Sequence, residues 1–459
     1  MKIAVLNGSP KGKQSVTLQS VLYLQAHNKQ HEFVIFNIGQ QIKKLQNEQE
    51  FDKVIEQILL CDTIMFAYPV YTFLVPYQLH RFIEQLKQSA RAKEFAGKYV
   101  TQLTTSKHFY DYTAHNFIID NCNDLKLNYV CGLSADMDDL LKVEGRAGLD
   151  CFFATFVHCV TNNNHLFSPR EAPQTVKPYI STTSTPCQKN TAYDTVILTS
   201  YQETQTNLLE MIKEFCAVYP NKTRIININD FKFDGGCLGC FMCATDGKCV
   251  YKDGFDTYLR NTIQNANAFI YAFEIKDHSF GSKFKQFDDR QFCNGHRPMT
   301  IGSAVGYLIS GNYDYEPNLK LVIEGRASVG QNYFAGVATD QNDTKQEISS
   351  LSDNLAFALA NHSKPSQNFL GVGGNKIFRD LIYVMGGLMK ADHKFYKRHN
   401  FYDFPQKQLG TKLKMQMVGA LMSNKKLRTK MKGKMNEFIL KPYDKAIEKS
   451  LRDKDDKNV

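Results

Sequence analysis

The sequence predicts an α/β protein made of two successive open parallel sheets, five strands in each with helices on both faces, followed by a basic helical extension. Three observations predict it. Short apolar strands alternate with helical stretches through the first 160 residues; the same rhythm restarts at Asp194, about 200 residues after the first strand; and the positive charge is gathered after Lys376. At 459 residues with 43% apolar content the chain exceeds one ordinary core, and length alone suggests roughly two or three domains.

The opening MKIAVLNGSPKGKQSVTLQSVLYL gives a first strand over residues 2–6, a Gly/Ser/Pro/Lys turn, and a helical pattern from Val16. Such a turn at a helix N-terminus leaves backbone N–H groups free and adds the Ser9, Ser15 and Thr17 hydroxyls and the Lys11 charge. Those are the parts that hold a phosphate. A plain βα turn is the competing reading, because the glycine spacing fits neither a P-loop nor G-x-G-x-x-G. Further strands follow over 31–38, 63–68, 99–104 and 128–133, with helices over 48–60, 76–88, 113–125 and 138–158. Ligands of an open parallel sheet bind at the carboxyl ends of its strands. There the chain places residues 8–17, then Pro69, Val70, Tyr71 and Thr72, then Thr104, Thr105 and Ser106. The second group offers a rigid proline and an aromatic ring for a planar ligand, or Tyr71 simply packs.

These loops carry a resemblance. NGSPKGKQSVT after the first strand and AYPVYTFLVPYQLHRFIEQL after the third are similar to the flavodoxin-like NAD(P)H-dependent FMN reductases and iron–sulfur flavoproteins, over residues 1 to about 160. The resemblance implies FMN as cofactor and NAD(P)H as co-substrate. It places Ser9, Lys11, Ser15, Val16 and Thr17 at the phosphate, Pro69, Val70, Tyr71 and Thr72 at the isoalloxazine, and Thr104, Thr105 and Ser106 as a third wall. The implied activity passes electrons from a nicotinamide to a quinone, free flavin, nitro compound or protein. An electron-transfer module without direct NAD(P)H activity, and a scaffold that has lost flavin, are the alternatives.

After a polar, proline-bearing stretch the pattern repeats. Residues 64–67, continuing to Phe82, match 269–272, continuing to Phe287, at an offset of 205; residues 128–132 match 332–336 at 204; the first strands pair at 192. About thirteen residues are therefore inserted between the first and third strands of the second copy. This divides the chain into a flavin-binding domain over 1–160, a linker over 161–191, a second domain over 192–362 and a basic helical extension over 363–459. In the second copy the phosphate-type turn has become residues 199–207, without glycine and with Glu203, while Glu274 and Lys276 replace Pro69 and Tyr71. A carboxylate facing a phosphate opposes binding. The first copy is thus expected to keep the flavin and the second to have lost the standard site.

The insertion is about the size of CLGCFMCATDGKC, which spaces Cys237, Cys240, Cys243 and Cys249 as C-x2-C-x2-C-x5-C. Compact C-x2-C-x2-C runs let thiolates reach separate irons of one cubane, whereas structural zinc usually takes two C-x2-C knuckles farther apart. The stretch also resembles the cysteine loop of the iron–sulfur flavoproteins, which implies a 4Fe-4S cluster on these four residues; other relatives carry similar loops without one. A cluster, a loop of free thiols and zinc all stay open. Family members commonly act as homo-oligomers whose sites meet at subunit contacts, so two fused copies are expected to work as a pseudo-dimer that sets the cysteine loop beside the first copy's flavin.

No apolar stretch is long enough to span a bilayer and no signal-type segment opens the chain, which predicts a cytoplasmic protein with reduced thiols. From Lys376 onward there are 21 Lys+Arg and 9 Asp+Glu, a net of +12, against −2 before it. Such a tail suits packing on the body with a solvated basic face, contact with anionic lipid, or an acidic redox partner. Nucleic acid is excluded for want of a binding motif and a basic body. GVGGN at 371–375 lacks a clear preceding strand and reads as a turn, His108 and His115 near the third wall receive no role, and no Ser/His/Asp set suggests a hydrolase.

Overall fold

The strands owe their place to apolar runs: residues 3–6 and 64–68 are buried throughout, as strands covered on both faces must be. The computed structural model describes residues 1–165, 176–183, 186–430 and 434–455. The linker expected over 161–191 and the far end of the basic extension lie partly outside the described residues. The first sheet holds β1 (Lys2–Asn7), β2 (Glu32–Phe36), β3 (Thr63–Pro69), β4 (Tyr99–Ser106) and β5 (Asn128–Asp136), all parallel, in spatial order β2-β1-β3-β4-β5. The second holds β6 (Asn190–Thr199), β7 (Asn221–Asn227), β8 (Ala268–Glu274), β9 (Ala304–Ser310) and β10 (Tyr333–Thr339), ordered β10-β9-β8-β6-β7. That is the same winding read from the other edge. In each, the order reverses beside the first strand, which opens a crevice at the carboxyl ends.

Helices of the first copy are α1 (Val16–His27), α2 (Glu48–Leu59), α3 (Tyr77–Gln88), α4 (Asp111–Asp124) and α5 (Val143–Thr161). The second copy has α6 (Thr206–Val218), α7 (Gly281–Arg290), α8 (Pro317–Val329) and α9 (Thr344–Ala360). Then come α10 (Phe369–Val384) and α11 (Lys390–Arg398), which fall with both sheets in one compact unit, 1–398. GVGGN is the start of α10, not a turn: a Cβ on Gly371 would stand 2.8 Å from the Ser328 carbonyl oxygen, and one on Gly374 2.8 Å from Phe109. Glycine lets this helix lie close against α8. Residues 399–459 form a second unit, containing α12 (Leu409–Met422), α13 (Lys425–Lys430) and α14 (Lys434–Asp455). Among the described residues no helix is long and apolar enough to cross a membrane.

The repeat is visible atom by atom. Ile3 pairs with Thr63 and Thr195 with Ala268, which gives offsets of 195 − 3 = 192 and 268 − 63 = 205. After β3 the turn closes with a bridge between Tyr71 and Leu74 and carries left-handed Thr72 and Phe73 (φ 42° and 71°). After β8 the bridge is Lys276 to Ser279, with left-handed Asp277 and His278 (φ 47° and 62°), each 205 residues on. The second strands are offset by 223 − 33 = 190, so the net insertion of thirteen is fifteen extra residues between β7 and β8, where the cysteine loop lies, and two fewer between β6 and β7.

The copies face each other through equivalent helices, α3 on α7 and α4 on α8, and one apolar core runs across the contact from Phe82 and Phe117 to Phe284, Phe287 and Leu319. Separate clusters fill the outer face of each sheet. Polar groups cross the seam in a matching pair. His80 Nε2 meets Asp277 Oδ2 at 2.8 Å, and Lys285, 205 residues later, donates to the Tyr71 carbonyl at 2.6 Å.

At the rim His278 bridges Asp124 on α4 (3.0 Å) and Glu316 (2.9 Å). Burial alone would lower its pKa, but hydrogen bonds to Asp124 and Glu316 outweigh it and raise the imidazole to about 9. Burial would raise Asp124, but His278 and Lys87 hold it down at about 2. The contribution of His278 is whole below its ordinary 6.5 and is lost as the pH climbs to about 9; that of Asp124 is whole above its ordinary 3.8 and lost towards about 2. In urea denaturation, the stability gap between the native chain and His278→Gln should be widest between about pH 4 and 6.5 and close above about pH 9. A gap that widens with alkalinity would contradict the bridge.

Candidate functional site

The first loop is fixed by a buried asparagine. Asn7, at the end of β1, donates to the Gly12 carbonyl (3.0 Å) and to Asn37 (2.9 Å), and its oxygen accepts the Ser9 amide. The chain makes a single 3₁₀ turn over Gly12–Gln14, and Ser15 then caps α1 by accepting the Leu18 amide. The Val16 and Thr17 amides stand in the first helical turn, where no preceding helix carbonyl reaches them. Ser9, Ser15 and Thr17 are buried around them, and Lys11 reaches over the Phe241 ring of the second copy at 5.4 Å.

The second loop is the strained turn after β3. Tyr71 and Leu74 exchange backbone hydrogen bonds, Thr113 Oγ1 donates to the Phe73 carbonyl (2.6 Å), and two left-handed non-glycine residues lie between. Left-handed backbone in such residues costs of order 1–3 kcal/mol each and persists only where the surroundings over-determine it. Here the surroundings include Lys285. Its ammonium has no solvent exposure and is satisfied by the Tyr71 carbonyl and the Asp289 carboxylate, whose other oxygen accepts the Tyr77 amide at 2.7 Å. Burial raises the Asp289 carboxyl to about 6 against the pull of Lys285. Tyr71 itself is almost wholly buried, and that burial lifts its phenol well above the ordinary value, so the hydroxyl keeps its proton.

The third loop ends β4. Thr105 Oγ1 and Thr17 Oγ1 lie 2.6 Å apart, tying this wall to the first loop, and Ser106 accepts the His108 amide at 2.9 Å. Thr104 is not part of the wall. Side chains alternate along a strand, so Thr104 turns to the opposite face and meets His115 Nε2 at 3.0 Å. Burial pushes that imidazole down to about 4, so it is a neutral partner packed under the sheet.

The cysteine loop closes the site from the second copy. Arg290 anchors both of its ends, donating to the Gly235 carbonyl (2.9 Å) and to both Asp253 oxygens (2.8 Å each), with its guanidinium 4.5 Å from the Tyr251 ring centre. Gln78 of α3 donates to the Cys237 carbonyl at 3.0 Å. At Gly239 φ is +61°, and a Cβ there would stand 1.8 Å from the Tyr71 hydroxyl oxygen. The loop backbone thus lies directly on Tyr71, whose ring also meets Phe292 edge to face (5.6 Å).

Together these parts enclose a cavity of about 430 Å³, within the range of small-ligand sites. Ser9, Lys11, Ser15, Val16, Thr17, Pro69, Val70, Tyr71, Thr72, Thr105 and Ser106 line it, and so do Cys237, Cys240, Cys243 and Cys249. One end can hold a phosphoryl group on amides, hydroxyls and an ammonium; the other offers flat apolar contacts. Phe292, Cys293, His296 and Arg326 of the second copy also line it, unanticipated from sequence. Cys243 Sγ lies 3.1 Å from the Phe292 carbonyl; burial raises its thiol to about 11 and that of Cys293 to about 12. All twelve cysteines are free. Among the described residues, the one group of three His, Cys or carboxylate ligand atoms lying within 4.8 Å of one another is Asp120, His278 and Glu316, so the loop sulfurs are spread wider than that. A tetrahedral zinc ion holds thiolates about 2.3 Å away and hence closer together. Four thiols facing one space are the donor chemistry of a thiolate-bound metal group.

In the second copy the corresponding space is taken by its own side chains. Gln205 donates to Glu274, which stands where Pro69 stands in the first, and Asp340 accepts from Asn207 (2.8 Å), Ser310 (2.6 Å) and the Gly311 amide (2.8 Å).

The winding and the crevice define a flavodoxin-like α/β fold. Residues 1–126 match the family model described as flavodoxin-like fold. The chain is 28% identical over 176 residues to a protein named iron-sulfur flavoprotein from Archaeoglobus fulgidus, an alignment covering 36% of this chain and 79% of that one. To a Bacillus subtilis protein named as an NAD(P)H-dependent FMN-containing oxidoreductase it is 29% identical over 103 residues, 21% of this chain and 57% of the relative, so it spans little more than half of that protein. Among solved structures, an NADH:FMN oxidoreductase in its apo form aligns with 37% of this chain and 96% of its own at 16% identity and a TM-score of 0.30. An FMN-dependent NADH-azoreductase from Bacillus anthracis, solved with FMN, aligns with 36% and 99% at 14% identity and a TM-score of 0.28.

Breaking a buried ion pair from one side leaves a charge without a partner. Lys285→Met is expected to cost about 3–5 kcal/mol in urea denaturation, and Asp289→Leu added to it to restore most of that loss. Additive losses in the double variant would show that the pair is not coupled.

Proposed function

We propose that this chain is an NAD(P)H-dependent FMN oxidoreductase that passes electrons to a quinone, flavin, nitro compound or redox protein, with the cysteine loop as an electron relay on a four-iron cluster. The observation that carries the proposal is the shared cavity: a phosphate-type loop, a ring-type turn and four thiols face one space, and the two copies supply different parts of it. FMN, when bound, supplies hydride acceptance from a nicotinamide and onward delivery of one or two electrons.

The residues would divide the work by their chemistry. The Val16 and Thr17 amides, the Ser9 and Ser15 hydroxyls and Lys11 hold the phosphate, where the positive end of α1 adds to the lysine charge. Pro69, Val70, Tyr71 and Thr72 seat the ring, and Lys285 keeps their turn from relaxing. Thr105 braces the phosphate loop through Thr17. Cys237, Cys240, Cys243 and Cys249 would hold the cluster, one thiolate to each iron; that all four line the shared cavity supports this reading. Iron would also reverse the preference of Cys237 and Cys243, since a bound cation deprotonates a coordinating thiol that burial otherwise keeps protonated. The aromatic wall of Phe292 and the covering loop keep water from the ring face.

The test is an absorption spectrum of protein purified without oxygen, with iron and acid-labile sulfide assayed on the same sample. Flavin bands with a broad shoulder near 400 nm, about where thiolate-bound clusters absorb, and about four irons per chain support the full reading. Flavin without iron removes the relay and leaves the reductase. No flavin after reconstitution with FMN, and no NADH or NADPH turnover with a quinone, overturns the proposal.

A further inference from the structure

The second compact unit has chemistry that the redox site does not use. Between residues 404 and 436 there are nine Lys and Arg and no Asp or Glu. Through the same stretch run apolar side chains that α12 leaves in the open: Leu409, Leu413, Met417 and Leu421 form one stripe at four-residue spacing, all exposed. Met415 and Val418 are exposed on the other side of the helix. In α14 the exposed Leu440, Tyr443 and Ile447 make a stripe, with Lys441, Lys445 and Lys449 opposite.

A protein groove covers one stripe of a helix, and a polyanion needs none. A helix apolar on two sides, flanked by lysines and free of acids, suits an environment that wraps it: the boundary between headgroups and acyl chains. Long lysine stems extend from that depth to the phosphates. No helix among the described residues can cross a bilayer, so the attachment is peripheral.

We propose that residues 399–459 bind this protein to an anionic lipid surface, with the apolar side chains of α12 set among the headgroups and the lysines that flank them on lipid phosphates. This stands apart from the redox reading and does not depend on it.

The test is co-sedimentation of the full chain with vesicles of phosphatidylcholine alone, or with about a third phosphatidylserine. Binding should be at least ~10-fold stronger on the anionic vesicles and should weaken as salt rises from about 0.1 to 0.5 M. Leu413→Gln combined with Leu421→Gln should lose at least ~10-fold of that binding with circular dichroism unchanged. Three results would overturn the proposal. Equal binding to both vesicles removes the charge argument. Undiminished binding by the double variant leaves a plain polyanion contact, which an acidic protein or nucleic acid would serve equally. A native dimer that dissociates in the double variant shows that a second copy of the chain covers this face.

Discussion

Lys285 reaches out of α7, away from all solvent, to the carbonyl of Tyr71 in the other copy, and the site depends on that contact. An ammonium so placed is tolerable only where its partners are complete, and here they are the Tyr71 carbonyl and Asp289, which in turn accepts the Tyr77 amide. Sliding the copies apart would strip Lys285 of its carbonyl and Asp289 of its amide, leaving the buried pair on α7 half-satisfied. The same bond pins the turn in which Thr72 and Phe73 hold left-handed backbone, and so fixes the shape of the ring-side wall.

Two copies of one winding have diverged into complementary roles at equivalent positions. His80 and Lys285 both reach across the seam to the turn of the opposite copy, but His80 finds a side chain, Asp277, and Lys285 a backbone carbonyl. Where the first copy has Pro69 and Tyr71 the second has Glu274 and Lys276, and Glu274 is consumed by Gln205. The second copy contributes to the crevice of the first by an insertion: the loop between β7 and β8 leaves its own sheet and lies on Tyr71, with Gly239 permitting an approach that any side chain would block. Arg290, on the same helix as Lys285, holds that loop by both ends. One helix therefore positions the turn below and the thiols above.

Most of the fold was legible because it rests on local rules. Continuous apolar runs marked the strands, and the offsets of 192 and 205 found in the sequence are the offsets of the strand register. The loops at the strand ends could be read because glycine, proline and hydroxyl residues gather there for local reasons. Thr104 was misplaced for want of strand alternation, which sets it opposite Thr105. The second copy's share was hidden by tertiary pairing. All of GSKFKQFDDR but Lys283 is buried, because its charges are answered by one another, by Asp253 and Arg326, and by the backbone of Tyr71 and Tyr77 about 200 residues away. GVGGN misled because Gly371 and Gly374 answer to Ser328 of α8 and to Phe109, contacts that no local pattern reveals.

A ligand held by the loops of the first copy should also be enclosed by the cysteine loop of the second. Flavin fluorescence titration of the native chain and Gly239→Ala tests it most directly. The added methyl would press the loop off Tyr71 and stand 3.3 Å from the flexible end of the Lys11 side chain, which can give way, and its left-handed backbone adds strain. The FMN dissociation constant is predicted to rise at least ~10-fold, with the thermal transition of the sheets still cooperative. An unchanged dissociation constant would show that the cysteine loop takes no part in the site.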